Sequence, residues 1–243
     1  VAVAVRDGVL VGYVVPDVVV AGGVVRWGEL ERAGRVVGVP VHELSGGLVV
    51  AGRNRSNVEY LFDEIFVRGE YARGGVVVEE GACVVDVGGH VGMFGLFVGR
   101  VRGVRVFACE PMPESAEFYR FNAYLHGVDA VVTTCGVSDA PGRAVFTYYP
   151  EMSLLSGRFA DEGVEEAMLR RVIGNTAGGG GGDEGVLGEL LAQRLRGEPV
   201  EVELRTVSQV IRDFGLEVVD LLKVDAEKSE LAVLRGSRRS TGR

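Results

Sequence analysis

What this chain has little of sets the first limits on what it can be. Its 243 residues hold only three cysteines, three histidines and one tryptophan. Cys83, Cys109 and Cys135 lack the close spacing of a metal site, so none is expected. An odd number of thiols, with no signal peptide, fits free cysteines packed near the ends of central strands in a reducing, cytoplasmic setting. Basic residues are outnumbered, 26 Lys and Arg against 34 Asp and Glu, giving a formal net charge of −8. A nucleic-acid backbone calls for the opposite balance. The one basic cluster, SRRSTGR, lies at the extreme end and reads as a solvated terminus. No apolar run approaches the roughly 20 residues of a membrane span, so no membrane partner is expected either. The first residue is Val, not Met, which fits a piece excised from something longer. What is plentiful is apolar surface: 47% of residues are hydrophobic, ample for one α/β domain plus an appendage.

The richest stretch is VVDVGGHVGMFG, Val84 to Gly95, where an apolar strand runs through a glycine turn into an amphipathic helix. Such a turn lets a ligand lie on bare backbone. Glu110 closes the next apolar run, VRVFACEP, at the distance where a nucleotide-binding sheet places its ribose-gripping carboxylate. Gly88, Gly89 and Gly92 lack the G-x-G-x-x-G spacing of a dinucleotide site, and Asp86 would repel phosphates. The same carboxylate suits S-adenosylmethionine (SAM), which has no phosphate and carries a sulfonium and an ammonium. A nicotinamide-dependent oxidoreductase is the rival of different chemistry, and a simple helix cap the bland one.

Alternation of patterns gives the organisation. The first 47 residues form a Val- and Gly-rich appendage with strand-like runs at Val1 to Val5 and Val9 to Val15. From Ser56, an expected N-cap, SNVEYLFDEIFVRGEY carries an i, i+3, i+4, i+7, i+8 apolar stripe that marks a helix. Strand 82–87, helix 91–100, strand 104–109, helix 113–126 and strand 130–136 come after it, a β-α-β-α-β order implying a parallel sheet with ligands at its carboxyl edge. In helix 113–126, Phe118, Phe121 and Leu125 are expected inside and Glu114 and Glu117 in water. Strand 143–149 comes next, then an irregular insertion to about Glu198 holding two helical patterns and five glycines, Gly178 to Gly182. A flexible joint within a lid is the functional reading of that insertion. Strand 199–205 and a helix from Thr206 to Gly215 restore order.

A last buried strand, Val218 to Val224, releases Lys223, Asp225, Glu227 and Glu230 at the same carboxyl edge. Asp and Glu also favour helix starts, which is the structural alternative. As chemistry, Glu227 or Asp225 would take a proton from an acceptor hydroxyl, and Lys223 would steady the alkoxide or hold the acids. These acids could offer oxygens to Mg²⁺, but the spacing does not require a metal. His126, before Gly127 at a helix end, reads as a positively charged cap, and His42 as a surface residue.

Five ordered motifs resemble the FkbM-like family of SAM-dependent O-methyltransferases, especially the domains embedded in polyketide and nonribosomal peptide synthases. They are GGLVVAGRNRSNVEYLFDEIF, GACVVDVGGHVGMFGLFV, ACEPMPESAEFYRFNAYLHG, YYPEMSLLSG and LLKVDAEKSELAVLRG. The resemblance implies a Rossmann-like class I methyltransferase core over 48–243, with a mostly parallel sheet and a lid-like insertion at about 150–198. It implies that Asp86, Gly88 and Gly92 belong to the SAM loop, with Gly89 and His90 standing where relatives have Ala and Asn. Glu110 would bind the ribose, and Lys223, Asp225 and Glu227 would line the methyl-transfer site. Tyr149 and Ser156 are weaker candidates for substrate contact. The implied activity is O-methylation of an acyl or aminoacyl group on a carrier protein, with neighbouring synthase domains as partners. A free-standing methyltransferase and a non-catalytic SAM-binding remnant are the alternatives. Relatives continue into two further strands, so an uncovered sheet edge is expected. VAVAVRDGVLVGYVVP faintly resembles the carboxyl-terminal lobe of an adenylation domain.

Overall fold

Consecutive residues of the Cys83–Val87 run bury on opposite sides, because a parallel strand is covered on both faces. Val84 joins Met93, Phe94 and Leu96 on one side, whereas Val85 and Val87 meet Val207, Val210 and Val233 on the other. The computed structural model describes residues 2–6, 9–13, 22–36, 38–176 and 184–237. In chain order its elements begin with β1 (Ala2–Arg6), β2 (Val9–Tyr13), α1 (Gly22–Arg32), β3 (Val41–Glu43), β4 (Val49–Ala51) and α2 (Arg55–Phe62). The centre holds β5 (Cys83–Val87), α3 (Met93–Val98), β6 (Arg105–Cys109), α4 (Pro113–His126), β7 (Asp129–Thr133), β8 (Gly136–Val137) and β9 (Gly142–Tyr148). Then come α5 (Glu162–Thr176), α6 (Glu184–Arg194), β10 (Glu198–Arg205), α7 (Val207–Asp213), β11 (Leu221–Val224) and α8 (Glu230–Arg235).

The central sheet has the order β11-β5-β6-β7 with every pair parallel. It is the Rossmann-like sheet of a mixed α/β fold. The chain steps outward from β5 to β7 and later returns to the other side of β5. The order reverses between β5 and β11, and a crevice opens there at the carboxyl ends. A second sheet, β8-β10-β9, stands apart. In it β10 and β9 form a long antiparallel ladder from Glu198↔Tyr148 to Leu204↔Gly142.

Several expected boundaries move. Strand 130–136 ends at Thr133, and Gly136–Val137 leaves to pair with β10. Val218 is 62% exposed, so the last central strand begins only at Leu221. Among the described residues β11 is paired on one side only. The cap of α2 is Asn54, whose side chain accepts from Ser56 N (2.9 Å), instead of Ser56 itself. The stripe continues past Phe62 as a wide π turn, Asp63–Val67. In α4 the fully buried side is Ala116, Tyr119, Asn122 and Leu125, with Phe118 and Phe121 half-buried. Glu114 is not simply solvated: Arg53 binds it through two nitrogens, and Tyr148 donates to it.

The segment before Leu48 is partly docked. Trp27 meets Phe121 edge to face at 6.3 Å, and Arg26 donates to Leu125 O (2.9 Å). β3 pairs with β4 across the boundary expected at residue 47. The run Val9 to Val15 is a strand to Tyr13; its last two residues, the five glycines and the basic tail beyond Ser237 lie outside the described residues. No helix among the described residues is long and apolar enough to cross a membrane.

Candidate active site

The turn after β5 is shaped by contacts that only glycine permits. Gly88 has φ +77°, and a Cβ there would stand 1.8 Å from Asp225 O, so the turn and the end of β11 touch backbone to backbone. Gly92, at φ +87°, lies on the Tyr119 ring, where a Cβ would come within 2.4 Å. Tyr119 is fully buried beneath the turn and fills the space the small residues leave. His90 takes a left-handed conformation without being glycine (φ 48°), and its N–H donates to Glu110 Oε2 at 2.8 Å.

Asp86 and Glu110 end neighbouring strands and are both buried, but their surroundings differ. Asp86 is wholly enclosed: Lys223 Nζ lies 3.0 Å from Oδ1, and the Tyr119 hydroxyl donates to Oδ2 at 3.0 Å. Its charge is met inside the protein, by an ammonium and a phenol hydroxyl. Among the described residues Glu110 has no ion-pair partner. It accepts from His90 N and Met112 N, and burial pushes its carboxyl up to about 7 despite those two amides.

At the end of β11, Lys223 spends its ammonium on protein groups: Gly88 O at 2.6 Å, Asp86, and Asp225 Oδ2 at 3.6 Å. Asp225 and Glu227 reach the cleft, while Glu230 opens α8 at the surface. No hydrogen bond or ion pair reaches the Glu227 carboxylate among the described residues. Burial and the neighbouring Asp225, Glu230 and Glu165 carboxylates raise its pKa above the ordinary value. Tyr71, the last residue of the run expected to be helical but outside the five family motifs, donates to Asp225 Oδ2 at 2.6 Å. The helix does not reach it: left-handed Gly69 turns the chain, and Tyr71 lies in the irregular turn Glu70–Gly75.

The cleft between these groups holds about 860 Å³ of open space, mouth included. One end is walled by Leu61, Ile65 and Phe94, the other by Cys109, Cys135 and Gly136. The thiols are free, as expected, but two of them line this cavity instead of only packing in the core. A hydrogen bond to Cys135, with burial, pushes the Cys109 thiol up. Leu154, Ser156, Gly157 and Arg158 bring the start of the insertion to the rim. Asn57 donates to Ser153 Oγ (3.1 Å), which lies 2.8 Å from His90 Nε2. Burial holds the His90 ring neutral, at about 4, and leaves its Nδ1 without a partner.

The remaining candidates divide. Tyr149 is fully buried away from the cleft, whereas Ser156 lines it, with its Oγ accepting from Tyr149 N (2.9 Å). His126 is no positive cap: burial lowers its pKa, and Nε2 lies 2.7 Å from Val49 O. His42 is half-buried, 2.7 Å from Gly52 O. Among the described residues no group of three or more His, Cys, Asp or Glu is placed to hold a metal.

Comparison with known proteins bears on this arrangement. Residues 86–242 match the methyltransferase FkbM domain. The chain is 38% identical over 199 residues to AMB antimetabolite synthetase AmbE of Pseudomonas aeruginosa, covering 80% of this chain but 9% of that protein. It is 37% identical to 31-O-demethyl-FK506 methyltransferase FkbM of Streptomyces tacrolimicus (79% and 74% covered) and 30% identical to methyltransferase sdnD of Sordaria araneosa (75% and 70% covered). With the matched domain starting at Asp86 and taking in both carboxylate-bearing strand ends, the chain belongs to the FkbM methyltransferase family.

Proposed function

We propose that the chain is a SAM-dependent O-methyltransferase acting on a hydroxyl of a carrier-protein-tethered acyl or aminoacyl group. The observation that carries this is the bare glycine turn: Gly88, Gly89 and His90 line the crevice, and the buried Glu110 carboxylate, with no ion pair among the described residues, is held behind them by His90 N. The residues fit the cofactor. Glu110 suits a ribose diol, the turn offers backbone, and Gly136 with the two thiols lines the cavity with small side chains that leave room for a base. Lys223, the cation nearest the turn, is committed to Asp86, so the turn offers no free positive group to a pyrophosphate.

SAM supplies, when bound, a methyl on a sulfonium that brings its own leaving group. The protein must align the acceptor, exclude water and accept a proton. Glu227 is the proton acceptor: it reaches the cleft, no donor occupies its oxygens among the described residues, and burial with the neighbouring carboxylates pushes its carboxyl above the ordinary value. Asp225 serves charge instead, and Lys223 holds Asp86, Asp225 and the turn in register. No step requires Mg²⁺. The segment from about 150 to 198 is the lid, with Ser153 and Arg158 at its root. A synthetase among the relatives supports synthase neighbours as partners, and free thiols suit a cytoplasmic setting.

The test is methyl-labelled SAM with a panel of carrier-bound 3-hydroxyacyl and seryl thioesters, products weighed. One thioester should gain one methyl, and Glu227→Gln should cut its rate by roughly 10²-fold with SAM affinity kept. A methyl appearing only on untethered acceptors would replace the carrier reading with a free-standing one. Stronger binding of NAD than of SAM would overturn the enzyme class.

A further inference from the structure

A carboxylate that must meet a cation is most effective when it cannot turn away. Asp225 is held at both ends: its N–H donates to Val87 O (3.0 Å), and its Oδ2 receives the Tyr71 hydroxyl at 2.6 Å with Lys223 Nζ 3.6 Å off. Its other oxygen has no hydrogen-bond or ion-pair partner among the described residues, and the side chain is 43% exposed on the cleft. Tyr71 is itself fixed. Its ring packs on Phe94 at 5.4 Å, and both rings face the Lys223 ammonium at 5.7 and 5.8 Å. Burial first, then the Asp225 carboxylate, push its phenol well above the ordinary range, so it stays a donor.

The charges around this carboxylate decide what it can serve. Lys223, the adjacent cation, is shared with Asp86, while Glu64 and Glu227 add negative charge at the same end of the cleft. A ligand group entering here meets an acidic field with one oriented oxygen. We infer that Tyr71 is a positioning residue, whose hydroxyl pins one oxygen of Asp225 and so presents the other as counter-charge to the positive end of the methyl donor. This rests on the SAM reading above and deepens it by naming the group that meets the donor's charge.

Calorimetry on the full chain with three probes tests it. SAM carries a sulfonium and an amino-acid end with ammonium and carboxylate, S-adenosylhomocysteine lacks the sulfonium, and 5′-methylthioadenosine lacks both the sulfonium and the amino-acid end. Tyr71→Phe keeps the ring on Phe94 and removes only the donor. It should weaken SAM about tenfold and S-adenosylhomocysteine about threefold, with 5′-methylthioadenosine within about twofold. In an Asp225→Asn background the same change should add no loss, because the charge it positions is gone. Equal losses for all three probes, or additive losses in the double variant, would show Tyr71 to be packing only and overturn the inference. If the unaltered chain binds none of the probes, the SAM reading itself falls; binding with no Tyr71 effect removes the positioning role alone.

Discussion

The tips of β5 and β6 lie side by side in one sheet, and each ends in a buried acid, but the two acids do opposite work. At the β5 tip, Asp86 has a cation and a hydroxyl within 3.0 Å and is spent on structure. At the β6 tip, Glu110 meets two backbone amides and, among the described residues, no ion-pair partner. The difference shows that burial of a carboxylate at a strand end does not mark a ligand site. Whether an internal counter-charge already meets the carboxylate separates the two cases.

The sharpest way to break this contrast is at Lys223. Lys223→Met strands the Asp86 charge, and urea unfolding should show a loss of about 3–5 kcal/mol. If stability holds, Asp86 is not the structural acid. Tyr119→Phe takes one hydrogen bond from the same carboxylate and should lower stability by about 1.5–3 kcal/mol, most of it absent when Asp86→Asn is already present. The smallest effect concerns the other tip and depends on pH. Folding raises the Glu110 pKa from 4.5 to about 7, so the folded chain holds a proton that the unfolded chain has released. The stability tied to that proton is full below the unfolded value and is lost as pH climbs through about 7. A ribose diol donates to the ionised form, so SAM affinity should rise about tenfold from pH 6 to pH 8. Glu110→Gln should flatten both profiles; a pH-independent affinity in the unaltered chain would contradict the assignment.

How much of the fold and site was legible in the sequence depends on the range of the interactions. The β5–turn–α3 unit and Glu110 could be read because each is built from a few consecutive residues with a clear pattern. The Lys223–Asp86 pair joins residues far apart in the chain, and charge spacing cannot reveal it. Tyr119 was hidden inside an amphipathic helix whose larger aromatics drew the stripe to Phe118 and Phe121. A clue existed: glycines at 89, 92 and 95 clear one helix flank and imply something large against it. Tyr71 closed a run expected to be helical, and the break at Gly69 that carries it to Asp225 left no mark on that pattern. The strands at 142–148 and 198–205 were each recognisable, but their pairing skips the intervening helices and shows only in three dimensions.

That ladder has a consequence for how the protein can change. Because Glu198 sits opposite Tyr148, the two ends of everything between them are fastened at one point on the framework. Material can be inserted or deleted in this tethered excursion at little entropic cost, since closing a loop grows only slowly harder with its length. The length of this excursion can thus change while the strand tips stay unaltered.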